Sequence, residues 1–216
     1  MHGGIDVHLM EVEGLGIMRT NYNGKNSNED KLNGLLAERL MNVIRQHEGL
    51  MRDLITVRAL NLPECYIAAG YIRNYVWDLL HGYTRTDRHT DIDVVYYDLE
   101  DVTEARDRRL DSELRSSTGN DKWSVKNQAR MHTHNGNGPY HSTWDALSYW
   151  PEVTTAIGAR LTLDDQIELC CPHGLEDLFA LRVRRSPKFH DRDYYLERIR
   201  KKNWQNQWPQ LTIYED

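Results

Sequence analysis

The sequence contains only three cysteines, Cys65, Cys170 and Cys171. An odd number, two of them adjacent, makes a poor disulfide framework, so a reducing, cytoplasmic compartment is expected. The thiols themselves read as small buried apolar groups. No run approaches the roughly 20 apolar residues that a membrane helix needs, so no membrane partner is expected. The first residues, MHGGIDVHLMEVEG, have no basic stretch followed by an apolar core, and no secretory signal is read there. Nor is positive charge in excess. Lys and Arg number 27 against 33 Asp and Glu, a formal net charge of −6. That sign argues against a non-specific coat for nucleic acid or an anionic membrane. No segment repeats.

What is present points to a globular protein. The 216 residues are 39% hydrophobic and 28% charged, the size of one domain with appendages. Residues 20–30, TNYNGKNSNED, are polar and aperiodic, so 1–30 is read as a flexible tail. From Leu32 to Leu54 apolar residues recur at three- and four-residue spacing, which predicts an amphipathic helix broken near Gly49. A short strand is expected at 65–69 and a helix from Gly70 to about Gly82. A polar loop, YTRTDRHT, then leads to a strand at 91–98. A charged helix to about Arg115, a strand at 123–131 and a loop at 132–141 follow. Two short strands are expected around Asp164-Asp165, then helices at 175–185 and 191–208. Interleaved strands and helices predict an α+β fold, a mixed sheet flanked by helices.

The chemistry concentrates between Ala68 and Asp98. Side chains at i and i+2 of a strand share a face, so Asp91 and Asp93 form a compact pair of carboxylates while Ile92 and Val94 face the core. Hard cations such as Mg²⁺ or Mn²⁺ take oxygen ligands of this kind and share them with substrate phosphates. Gly70, at a strand-to-helix turn, allows close backbone approach to a ligand. The free N–H groups of the helix after it favour an anion. Arg73, one turn in, supplies a cation. The strand SVKNQAR alternates Ser124, Lys126, Gln128 and Arg130 with Val125, Asn127 and Ala129. It is either a substrate-binding wall, with Lys126 and Arg130 toward phosphates, or an edge strand with a solvated face.

The run AAGYIRNYVWDLLHG followed by TDIDVVYYD resembles the nucleotidyltransferase superfamily of the DNA polymerase β type, in particular the head domain of tRNA CCA-adding enzymes. The longer pattern, with WSVKNQARMH, TAIGARL and GLEDLFALRVRRSP, resembles a bacterial family of uncharacterised nucleotidyltransferase-like proteins. The resemblance implies a polymerase β-like fold and a nucleotidyltransferase-like domain over 31–180. It implies metal-dependent transfer of a nucleoside monophosphate from an NTP. It assigns Asp91 and Asp93 as metal ligands and Gly70 and Arg73 to the phosphate-binding turn. The acceptor stays open between RNA, a protein and a small molecule.

Three departures stand out. Tyr71 occupies a position where the superfamily usually has Gly or Ser, and Asn74 replaces the usual Asp. The third carboxylate of the superfamily is missing from the strand at 123–131. Asn127 is one neutral substitute, and Glu168 is the expected third metal ligand from another strand. Without either, the alternative reading is an inactive nucleotide- or RNA-binding module with a regulatory or toxin–antitoxin-type role.

Weaker features remain. His132 and His134 are spaced for zinc but lack supporting ligands, and a loop contacting the acceptor is preferred. Trp144, Asp145 and Trp150 suggest either a base-stacking pocket or core. Between Arg182 and Asn203, nine Lys and Arg outnumber three Asp and Glu. The segment 181–216 is therefore read as a basic helical end packed on the core. Arg184, Arg185 or Lys188 is a further candidate for holding the triphosphate.

Overall fold

The computed structural model describes residues 27–84 and 91–216. The expected tail falls almost wholly outside the described residues, as does most of the loop at 83–90. The apolar spacing after Leu32 forms two helices, α1 (Ser27–Gln46) and α2 (Glu48–Arg58). The break comes at His47 rather than Gly49. His47 Nδ1 accepts from the Leu50 amide at 3.0 Å, capping an otherwise orphan donor at the start of α2.

Five strands form the main sheet: β1 (Tyr66–Ala68), β2 (Ile92–Tyr96), β3 (Trp123–Asn127), β4 (Gly158–Leu161) and β5 (Ile167–Cys170), in the order β3-β2-β1-β4-β5. Only the β2–β3 pairing is parallel among these. A parallel pair needs a crossover, which α4 (Glu104–Thr118) supplies. α3 (Gly70–Leu80) joins β1 to the loop before β2. This is the expected α+β arrangement of a mixed sheet and helices.

Strand alternation separates two faces. Ile67, Val94, Val125, Ala159 and Leu169 belong to the large core, with Leu40, Ile44, Leu50 and Leu54 of α1 and α2 and Ile72 of α3. On the other face Tyr66, Ala68, Val95 and Cys170 meet Leu147 and Ala156 in a smaller cluster. That cluster leaves Asp93, Ser124 and Lys126 lining an open cleft. Cys65, Cys170 and Cys171 are free thiols and buried, as expected. Burial pushes Cys65 and Cys171 up to about 12.

Three elements differ from the sequence expectation. The strand predicted to Met131 stops at Asn127, where α5 (Gln128–His134) begins. The Asn127 side chain accepts from the Ala129 amide at 3.1 Å and caps that helix. The helix predicted at 175–185 is a single turn, α7 (Glu176–Phe179), because Leu181 at φ +54° turns the chain into β6 (Arg182–Val183). β6 pairs with β7 (Thr212–Ile213), which lies beyond the expected last helix. That helix is itself divided into α8 (Arg192–Lys202) and α9 (Trp204–Gln207) by Asn203, left-handed at φ +47°.

The C-terminal residues close back on α3. The Trp208 indole donates to Asp78 Oδ1 at 2.8 Å, and Trp204 and Trp208 meet Trp77 edge-on. All three rings are buried. This docking carries α8 to the open face of the sheet. Tyr149, Trp150 and Pro151, which follow α6 (Thr143–Ser148), line the other wall of the cleft.

Candidate active site

The turn from β1 into α3 is built on Ala69. Its φ of +60° and ψ of −129° form a conformation that favours glycine. The residue in the glycine-like position is therefore Ala69, and Tyr71 is not displacing a glycine from the turn. Tyr71 lies buried inside α3, and its hydroxyl donates to Asp53 at 2.7 Å. Gly70 and Arg73 line a cavity at the N-terminus of α3. A Cβ at Gly70 would meet Arg73 Nη2 at 3.5 Å, an ordinary contact.

Arg73 is almost fully buried. Its Nη1 donates to Thr155 Oγ1 at 2.6 Å, and Nε and Nη2 donate to Asn74 Oδ1 at 3.1 and 2.9 Å. Its guanidinium lies 4.9 Å from the ring of Trp77 and 4.5 Å from that of Trp204. Burial pulls this cation down to about 10 against the pull of Glu152.

Asp91, exposed just before β2, and Asp93, half-buried within it, line two cavities at once. One is an open cleft of about 720 Å³ floored by Asp93, Val95, Ser124 and Lys126. The other, about 220 Å³, lies between α3 and the α8–α9 junction. Arg198 and Lys202 line both. Burial and then the charge of Asp91 hold Asp93 above the usual carboxylate range, and Arg73, Lys202 and Arg198 pull it back. Lys202 is lowered by burial and then by its neighbours Arg198 and Arg73. For Arg198, burial works downward, and Glu152 beside it more than offsets the effect. Two carboxylates and three cations thus meet at the mouth of a strand–turn–helix unit.

A family model described as nucleotidyltransferase matches residues 55–213. The chain belongs to this nucleotidyltransferase family. A solved structure reported as "The NMR structure of the protein reveals a CCA-adding enzyme head domain" is 35% identical to it, with a TM-score of 0.74 over 82% of this chain and 95% of that one. Two structures of tRNA-processing enzymes match more distantly. One is 21% identical with a TM-score of 0.41, over 67% of this chain and 37% of the other. The second is 15% identical with a TM-score of 0.46, over 88% and 45%. A search of curated proteins found no match.

Within this nucleotidyltransferase the residues singled out in the sequence do not all converge. Asp91, Asp93, Arg73 and Gly70 surround the smaller cavity, and Lys126 reaches the larger. Glu168 does not join them. It is buried on β5, three strands from β2, where it binds Arg160 at 2.8 Å and the Tyr66 hydroxyl at 2.9 Å. At roughly 4.8 Å per strand it is about 14 Å from the Asp pair across the sheet. Arg130 is also elsewhere. Its guanidinium pairs with buried Asp107 and lies 3.7 Å from Glu104, because α5 turns it away from the strand alternation that was to carry it into the cleft.

Asn127 faces the core side with Val125 and lines neither cavity. Its amide donates to the carbonyls of Asp98 and Asp101 at 2.7 and 3.1 Å and accepts from the Asp98 amide at 3.1 Å. Ser124, on the cleft side of β3, pairs with Asp93 across β2 and β3. Among the described residues no group of three or more His, Cys, Asp or Glu is placed to hold a metal ion. His132 bonds the Ala129 carbonyl, and His134 lines the cleft alone.

The C-terminal cations also sort differently from expectation. Arg184 is bound at both ends to Asp177, at 2.6 and 2.7 Å. Arg185 donates to the Phe189 carbonyl, and Lys188 lies over Tyr149 near Asp145. Arg198 and Lys202, which the sequence reading did not single out, line the cavities instead. The spacing Tyr194, Arg198, Lys202 at i, i+4 and i+8 places all three on one helix face, a signal available in the sequence. Glu152, which holds Arg198, had no such signal. Trp150, Tyr149 and Tyr194 line the larger cleft, while Trp144 packs on the smaller cluster. No helix among the described residues is long and apolar enough to cross a membrane.

Proposed function

We propose that this protein transfers a nucleoside monophosphate from an NTP to an acceptor hydroxyl, assisted by a divalent metal. The observation that carries this reading is the position of Asp91 and Asp93. They stand on the rim shared by two cavities, beside the N-terminus of α3 and facing Arg198 and Lys202. In the transfer, the acceptor oxygen bonds to the α-phosphorus. The oxygen bridging the α- and β-phosphates leaves with pyrophosphate, and the hydroxyl proton passes to water. Such chemistry asks the protein mainly for positioning and charge neutralisation.

The donor set suits one Mg²⁺ or Mn²⁺ ion. Asp91 and Asp93 would hold it, and their mutual repulsion, felt in the raised Asp93, is what a cation relieves. An ion held there would supply neutralising charge and make the acceptor hydroxyl easier to deprotonate. Ser124, rather than a carboxylate, stands opposite Asp93, and this supports a site poorer in charge than a pair of metals requires. The α3 N-terminus and Gly70 would face phosphate. Lys126 would face the acceptor side of the cleft. The likeness to a CCA-adding enzyme head domain makes an RNA 3′ end the first acceptor to try.

The test is label transfer from α-³²P-labelled NTPs to RNA and to cell extract with Mg²⁺ or Mn²⁺. Wild type should label an acceptor, and Asp91→Ala and Asp93→Ala should each abolish it while remaining folded. The absence of a carboxylate at Ser124 also favours a second reading, a nucleotide-binding module without turnover. That reading gains if wild type binds NTP but neither labels an acceptor nor releases pyrophosphate.

A further inference from the structure

We propose that α4 is an edge guard. Asp107, Asp111 and Arg115 occupy outer hydrogen-bonding groups of β3 and so keep the sheet from pairing with a second copy of this chain.

β3 stands at one end of the five-stranded sheet, so one side of its backbone has no neighbouring strand. Successive residues of a strand direct their N–H and C=O groups to opposite sides. The Ile92 amide donates to the Lys122 carbonyl at 2.8 Å, which turns the backbone groups of residues 122, 124 and 126 toward β2. Trp123, Val125 and Asn127 therefore carry theirs on the outer side. A strand edge of this kind is a template for a further strand. All three residues are buried, where an unpaired backbone group is costly.

α4 supplies the partners. Asp107 accepts from the Asn127 amide through both oxygens, at 3.2 and 3.1 Å. Asp111 Oδ1 accepts from the Val125 amide at 2.5 Å. Arg115 Nη2 donates to the Trp123 carbonyl at 2.9 Å. The helix thus runs against the strand, advancing four residues for every two. Four helical residues rise about 6.0 Å and two strand residues about 6.6 Å, so the two repeats nearly match. Leu110 and Leu114, on the adjoining face of α4, pack into the core. A crossover helix needs that apolar face, but it does not need charged side chains aimed along the backbone of the next strand. A second copy of the chain is the partner that the edge would otherwise fit. Paired antiparallel about Val125, two β3 strands would exchange both Val125 bonds across a two-fold axis. Ser124 would then stand opposite Lys126, and no like charges would meet.

Amide hydrogen exchange and sedimentation of the full chain test the guard, and neither needs nucleotide or metal. With Asp111→Ala and Arg115→Ala combined, the Val125 amide should exchange about tenfold faster than in wild type. The Ser124 and Lys126 amides, which face β2, should stay within about twofold. The double variant should also sediment as a larger species than wild type. Asp111→Asn alone keeps an acceptor for the Val125 amide and should match wild type in both measurements. Adding Ser124→Lys to the double variant sets lysine opposite lysine in the paired edge and should restore wild-type sedimentation. Wild-type Val125 exchange or wild-type sedimentation in the double variant overturns the guard. So does equal acceleration at Val125, Ser124 and Lys126, which reports general unfolding. Association that survives Ser124→Lys overturns β3 as the pairing edge.

Discussion

Asp93 and Ser124 are paired residues in the parallel register of β2 and β3, and both line the larger cleft. A carboxylate at position 124 would stand one strand spacing, about 4.8 Å, from Asp93 at the backbone. Ser124→Asp is accordingly expected to tighten Mn²⁺ binding, read by calorimetry. The same variant should lower the melting temperature in chelator, because three like charges then share one rim.

The charge of Asp93 works against the stability of the fold. Burial and Asp91 raise its pKa from the ordinary value of 3.8, so the folded state binds this proton more tightly than the unfolded chain does. The resulting penalty is absent below the unfolded value. It grows as pH rises through the folded value and is complete above it. Asp93→Asn should therefore melt higher than wild type at neutral pH in chelator, with the gap closing as pH falls below about 4. Mg²⁺ or Mn²⁺ should raise the melting temperature of wild type but not of the variant, and the variant should transfer no label.

The Asp107 cluster predicts stability effects that leave the Asp91–Asp93 site alone. Asp107 is buried and accepts from the Tyr96 hydroxyl at 2.8 Å, from the Asn127 amide and from Arg130. Arg130→Ala leaves that carboxylate without its cation, at a cost of about 3–5 kcal/mol. Asn127→Ala strips several hydrogen bonds from the Asp98–Asp101 turn, at about 2–4 kcal/mol. Urea unfolding midpoints should fall in both. NTP affinity at 10 °C should stay within about threefold for Arg130→Ala, whereas loss of a phosphate-binding residue would cost far more.

Glu168 offers a parallel check. Glu168→Gln removes the charge facing Arg160 on β4 and should lower the melting temperature. Metal affinity and label transfer should match wild type, since the residue lines neither cavity at the Asp pair.

Ala69 carries backbone strain at the mouth of the site. A non-glycine residue in this region costs on the order of 1–3 kcal/mol, partly balanced by the chain entropy a glycine would lose. Ala69→Gly should raise the melting temperature by a few degrees. Ala69→Val should lower it and impair nucleotide binding, because the β-branched side chain resists the turn that starts α3.

Much of the unit that matters is legible locally. Asp91 and Asp93 share a side because strands repeat every two residues. The Gly70 turn and the helix bearing Arg73 follow from an apolar strand, a breaker and a helical period. The β3–α5 boundary was less legible. Polar–apolar alternation runs on through Arg130, but Asn127 caps a helix instead, a choice stabilised by its long-range bonds to the Asp98–Asp101 turn. The same bonds removed Asn127 from the cleft and swung Arg130 toward Asp107.

The sequence by itself determined the carboxylate pair, the strand-to-helix turn at Gly70 and the α+β class, all set by neighbours within a few residues. Only the tertiary structure decided which cations meet that pair. Arg198 and Lys202 arrive because Trp208 docks on Asp78, 130 positions earlier in the chain, and brings α8 across the sheet. Arg184, Arg185 and Lys188 have the same charge and lie nearer in sequence, but Asp177, Phe189 and Asp145 engage them first. Sheet order likewise excluded Glu168, because strand sequence alone does not reveal that two strands stand between β5 and β2. Charge and periodicity are local properties. Which charges face one another depends on strand order and on burial of distant aromatic rings, and these are properties of the folded chain.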